Sequence, residues 1–144
     1  QFPDVEVHPD VWKDRAPVSS GPAHLWLCAA RLVSREAEAR LAARIRHAFF
    51  CELKDVAQES ELHCLADSVD LDSQHLQRAI QCGSAWTELC ADWTRGRNEQ
   101  VMVSPTLIFN DGRQRLSGNV GYRIIKANLD ELLSSPDGDH YSWC

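Results

Sequence analysis

No two of the six cysteines, Cys28, Cys51, Cys64, Cys82, Cys90 and Cys144, are separated by only two residues. That excludes a redox Cys-x-x-Cys pair and a zinc-knuckle pair within this chain. No apolar run approaches the roughly 20 residues that a membrane-spanning helix needs, and neither end carries a basic-then-apolar signal pattern. The chain therefore reads as soluble, with no membrane partner. A basic stripe is also missing: 15 Lys and Arg are scattered among 21 Asp and Glu, for a net charge of -6. Nucleic acid is excluded as an expected partner on that ground. Methionine occurs once, at Met102, so Gln1 is not a retained translation start and a segment upstream of it is expected. Internal repeats and low-complexity tracts are absent.

What is present suits one packed domain, since 144 residues with 44% apolar content can bury a core. In such a chain the cysteines read as reduced, buried thiols. Val5-Glu6-Val7-His8 alternates as a short strand would and stops at Pro9, after which Pro9 to Pro17 reads as a loop. Ser19 and Ser20 offer caps and Pro22 suits a first turn, so a helix follows with Leu25, Cys28, Ala29, Leu32 and Val33 on one face. Ser34 caps a second helix that turns Leu41, Ile45, Ala48 and Phe49 inward.

Three shorter helices are predicted next: one near Glu59 to Ala66, one capped by Asp72 with Leu76, Ala79 and Ile80 inward, and one from Ser84 to Arg95. The last places Trp86, Leu89, Cys90 and Trp93 on one face, which reads as core, and Gly96 reads as its stop. Thr106-Leu107-Ile108-Phe109 and Gln114-Arg115-Leu116 flank Asn110-Asp111-Gly112, the pattern of a β-hairpin. From Gly121, Ile124, Ile125, Asn128, Leu129 and Leu132 mark a final helix, stopped by Ser134-Ser135-Pro136-Asp137-Gly138. A three-stranded sheet under this many helices leaves one edge or face without cover.

His63, Cys64, His75, Cys82 and Cys90 supply nitrogen and sulfur, but their spacing matches no standard zinc pattern, so no metal site is expected. No local motif places a cysteine and a histidine in contact for nucleophilic catalysis either. Trp12, Trp26, Trp86 and Trp93 could line a peptide groove, although helical spacing favours the core for Trp86 and Trp93. Arg113, Arg115 and Arg123 near the hairpin read as solvated charge or as attraction for an acidic partner.

Val103-Ser104-Pro105-Thr106 before the hairpin and Gly118-Asn119-Val120-Gly121-Tyr122-Arg123 after it resemble the DsbA-like thioredoxin family. His8-Pro9-Asp10-Val11-Trp12, Ser20-Gly21-Pro22-Ala23-His24-Leu25 and Ala48-Phe49-Phe50 are similar to its large cytoplasmic group, close to FrnE-like proteins and 2-hydroxychromene-2-carboxylate isomerases. The resemblance covers about Val5 to Leu133 and implies an α/β thioredoxin-like fold with an inserted helical block, lacking its N-terminal strand-helix portion. Residues 1–144 would form a partial domain, with the helical insertion at about 19–97 and the hairpin and helix at about 102–133.

The resemblance also implies thiol-disulfide oxidoreductase chemistry and a cytoplasmic location. None of the six cysteines matches the family's nucleophile, which leaves open whether this chain is itself an enzyme. No catalytic residue and no obligatory cofactor are then expected here. Val103, Ser104, Pro105, Thr106 and Arg123 would bind substrate, a thiol or disulfide on a peptide or small molecule, with a cis Pro105 leaving the Ser104 backbone free to pair. Glutathione is the possible cofactor in a second reading, a glutathione-dependent isomerase or transferase. A third reading is a helical binding module without catalysis. Val103 stands where the family commonly has Gly, and Tyr122-Arg123 stands where glutathione-dependent relatives have Asp-Arg, which leans away from glutathione.

Overall fold

Short-range signals place the helix starts. The computed structural model describes residues 6–13 and 17–134. Pro22 sits in the first turn of α1 (Gly21–Val33), and the Gly21 N–H donates to Ser19 Oγ at 3.0 Å. At the start of α2 (Arg35–Glu52) the Ala37 N–H donates to Ser34 Oγ at 3.0 Å. Before α4 (Ser73–Gln81) the His75 N–H donates to the Asp72 carboxylate at 2.9 Å. The Ser34 and Asp72 caps each satisfy an amide that the helix leaves unpaired and contribute about 1 kcal/mol, whereas the N-cap of α1, Ser20, makes no side-chain cap. α3 (Glu59–Asp67) precedes α4, and α5 (Ser84–Asn98) follows it.

Contacts divide the chain into two units, Gln1–Trp93 and Thr94–Cys144. In the first, α1 packs against α2, α3 and α4. Leu41, Leu62, Leu65, Leu76 and Cys28 are its most completely enclosed large side chains. The α2 face predicted from spacing, Leu41, Ile45, Ala48 and Phe49, is buried, and Ala37 joins it. On α1 the buried face is turned toward Ala23, Trp26 and Ala30, leaving Leu32 and Val33 about half exposed. Alanines allow the neighbouring helices to approach closely, so the seam follows them rather than the bulkier residues of the last turn. Val11 is buried in the same core, while Trp12 is edge-on to Phe49 at 5.1 Å.

In the second unit β1 (Thr106–Phe109) pairs antiparallel with β2 (Gln114–Ser117), with Leu107 opposite Leu116 and Ile108 opposite Arg115. Asn110, Asp111 and Gly112 make the turn with φ of 48, 52 and 96°, the left-handed region that these residue types tolerate. α6 (Tyr122–Ser134) follows. No described residue of this unit is fully buried.

Four expectations are corrected. Glu6–His8 is not a strand: the His8 N–H donates to the Phe50 carbonyl at 2.7 Å, because alternation sets side-chain direction whereas a strand also needs a neighbouring ladder. Gly96 does not stop α5, which runs on to Asn98; the left-handed residue beyond it is Gln100, at φ 50°. Trp86 and Trp93 are 49% and 57% exposed, since Ala85 and Leu89 form the inward seam and the indoles flank it. Of the five described cysteines, all free thiols, Cys28 is buried, Cys51 is half-buried, and Cys64, Cys82 and Cys90 are exposed. Val5, part of the Pro9 to Pro17 loop, the Ser135-Pro136-Asp137-Gly138 stop and Cys144 lie outside the described residues.

Candidate functional site

Residues 101–105 lead into β1 and are exposed throughout. The Ser104–Pro105 peptide bond is cis. Two hydrogen bonds hold this stretch: the Thr106 hydroxyl donates to the Val103 carbonyl, and the Gly118 N–H donates to the Pro105 carbonyl at 2.8 Å. The second ties the lead-in of β1 to the turn after β2, where Gly118 takes φ 81°. Between these ties, neither the N–H nor the C=O of Ser104 has a hydrogen-bond partner among the described residues. An exposed, unpaired donor and acceptor beside a strand is a surface on which an extended chain can pair.

The predicted site residues Val103, Ser104, Pro105 and Thr106 are therefore held together in one short segment. The Val103 side chain is half exposed beside Ser104. Arg123 lies in the first turn of α6, exposed and without an ion pair among the described residues. No hydrogen bond joins it to Val103–Thr106 among the described residues.

The thiols differ sharply from one another. Burial pushes the Cys28 thiol up, and the carboxylates of Asp92, Glu38 and Glu88 act in the same direction against the opposing charge of Arg31. Cys82, exposed after α4, has Sγ 3.2 Å from Ser84 Oγ, and that hydrogen bond holds its thiol below the ordinary value. Thiolate fraction and access govern alkylation. Maleimide labelling of the folded chain near neutral pH, followed by peptide mapping, is expected to modify Cys82 at least about tenfold faster than Cys28. Equal rates at the two positions would show that Cys28 is not enclosed as described.

A charge cluster on α1, α2 and α5 escaped the sequence reading. Arg31 donates to Glu38 Oε1 through Nε at 3.0 Å and Nη2 at 2.8 Å, and to Asp92 through Nη1 at 2.9 Å. Glu88 lies 3.7 Å from the same guanidinium. The Glu38 carboxyl is held below its ordinary range by the Arg31 hydrogen bonds, and Arg31 is held more firmly protonated by Glu38. Arg31 and Asp92 are 61 positions apart, so no local pattern could have announced the contact. Among the described residues, no group of three or more His, Cys, Asp or Glu side chains gathers as metal ligands; His63 instead meets the Trp26 ring edge-on at 4.7 Å. No helix of the described residues is long and apolar enough to cross a membrane.

A family model described as thioredoxin matches residues 3–127. The ClpXP adapter protein SpxH of Bacillus subtilis (strain 168) is 26% identical over 131 residues, which cover 86% of this chain and 44% of that protein. The chain thus spans less than half the length of that curated relative. A crystal structure of a proposed protein disulfide isomerase from Nitrosomonas europaea superposes with a TM-score of 0.70 at 23% identity, covering 81% of this chain and 58% of the other. That likeness shows the fold: a thioredoxin-like architecture that is mainly helical, with a small two-stranded sheet. With the family match spanning most of its length, the chain belongs to the DsbA-like thioredoxin-fold family, whose general chemistry is of the thiol-disulfide oxidoreductase type.

Proposed function

We propose that this chain supplies the substrate-holding wall of a DsbA-like thiol-disulfide oxidoreductase, with Ser104 and Pro105 at its centre. The observation that carries the reading is the exposed Ser104 backbone, whose N–H and C=O have no partner among the described residues while both flanks are tied down. A cysteine-bearing peptide lying extended along this segment would pair with those two groups and gain affinity through its main chain. Position and pairing are the contribution of this wall; the nucleophilic thiolate belongs at a helix start of the kind that lowers a thiol pKa, and none of the cysteines here is arranged as a Cys-x-x-Cys.

Val103 narrows the approach, since its branched side chain stands beside the pairing groups where glycine would leave them open. Arg123 supports a weaker, anion-directed contact with acidic groups near a substrate thiol, glutathione among them. Tyr122 offers no carboxylate to hold an ammonium there, so a peptide is favoured over glutathione.

A non-exchanging probe tests this without interference from the free thiols. Acetyl-Ala-Ala-(S-methylcysteine)-Ala-Ala-amide titrated into the chain in a calorimeter is expected to bind saturably and more tightly than S-methylglutathione. N-methylation of the probe's central amides should abolish binding, because it removes the donors that strand pairing needs. Binding of the N-methylated probe with unchanged affinity would overturn the proposed wall.

A further inference from the structure

On the opposite kind of surface, within the helical unit, a cleft of about 490 Å³ is lined by Leu25, Trp26, Ile80, Trp86, Leu89 and Trp93 together with Glu59. Glu59 is the one charged residue lining it among the described residues. Its carboxylate accepts a hydrogen bond from the Gln77 side-chain amide at 2.9 Å and has no cation within ion-pair distance among the described residues. Glu38, Glu52 and Glu61 are matched with Arg31, Arg44 and Lys54, whereas Glu36 on α2 shares with Glu59 the lack of an ion pair among the described residues but does not line the cleft. An apolar cleft beside an uncompensated carboxylate is complementary to a partner that brings apolar side chains and a cation together.

The spacing of the indoles narrows the partner's shape. Trp86 and Trp93 lie seven residues apart on α5, about 10.5 Å along its axis. Apolar side chains seven residues apart on a second helix have the same separation, which is the arrangement of helix-in-groove recognition. Half-exposed tryptophans are also the residue type that most often anchors such contacts. A second copy of this chain is the poorer occupant: its exposed apolar helix, α6, offers Arg123, unpaired among the described residues, but Asp130 and Glu131 balance Arg123 and Lys126, so the helix is not basic.

We propose that this cleft docks a basic amphipathic helix of a partner protein, with leucine-like residues against Trp86 and Trp93 and a Lys or Arg against Glu59. The inference is independent of the Ser104 wall, which lies in the other unit.

The test uses the whole chain and a model peptide two heptads long, built from leucine at helical spacing with lysine elsewhere, and an otherwise identical peptide with glutamate in place of lysine. Tryptophan emission is expected to shift to the blue and saturate with the lysine peptide only. Glu59→Gln should weaken binding about threefold, as loss of one partly solvated ion pair does. Trp86→Ala should weaken it at least about tenfold, with the far-ultraviolet circular dichroism unchanged. Glu131→Gln, which removes the same charge from α6, should have no effect. The proposal is overturned if neither peptide binds, if both bind alike, or if Glu131→Gln weakens binding as much as Glu59→Gln. An emission shift that grows with chain concentration and needs no peptide would overturn it too, in favour of self-association.

Discussion

Leu41→Ala is expected to lower the free energy of unfolding by about 2–5 kcal/mol, measured by urea denaturation followed by far-ultraviolet circular dichroism. Leu41 is 0% exposed and sits on α2 where that helix packs against α1. Truncation there removes buried methyl and methylene groups and leaves a cavity that rigid helices cannot collapse around. Marginal stability makes such a loss a large share of the total. The same kind of change in the second unit should behave differently. Leu133 is 79% exposed, and Leu133→Ala should alter stability by no more than about 0.5 kcal/mol. A cost at Leu133 equal to that at Leu41 would contradict a core confined to the helical unit.

Arg31→Gln should be the most damaging change among the charged residues, at about 1–3 kcal/mol near neutral pH. The Arg31 and Glu38 side chains are 18% and 19% exposed, so solvent screens the pair less than an ordinary surface bridge. Removing the guanidinium leaves Glu38, Asp92 and Glu88 facing one another without a cation at their centre. The pH dependence follows from the depressed Glu38 carboxyl. Its stabilisation is fully present above 4.5, the ordinary glutamate value, and is lost as the pH falls through the lower value of the folded state. The gap between the parent chain and Arg31→Gln should therefore narrow as the pH drops below 4.5. A gap that stays constant down the acid limb would assign the loss to packing of the arginine stem instead.

These two expectations also show what kind of information a sequence carries. Ser34, Asp72 and Asn110-Asp111-Gly112 were legible because a cap or a tight turn is decided within about four residues. The inward face of α2 was legible because its large apolar residues share one side while Arg35, Glu36, Glu38, Arg40 and Arg44 occupy much of the remainder. The facing of α5 was not, because Trp86, Leu89 and Trp93 span one broad apolar arc and only the packing of Ala85 and Leu89 decides which part is covered. Cys64, Cys82 and Cys90 were misread for the same reason: thiols suit either a core or its margin. Glu6–His8 had a strand's alternation but donates to the carbonyl of Phe50, a partner more than 40 positions away.

The candidate site divides along the same line. Val103-Ser104-Pro105-Thr106 could be recognised as a motif because its residues are contiguous. That Thr106 and Gly118 tie its two sides while the Ser104 backbone stays unpaired is a matter of three-dimensional pairing. Glu59 and Trp86 become neighbours of one cleft only after α3, α4 and α5 have packed.

Substrate is proposed to pair with the Ser104 backbone. Amide-resolved NMR of the chain titrated with acetyl-Ala-Ala-(S-methylcysteine)-Ala-Ala-amide tests it most directly. Saturable shifts are expected at the amides of Val103, Ser104 and Thr106, and the Ser104 amide should become protected from hydrogen exchange. Shifts confined to the helical unit, or none at Ser104, would contradict it.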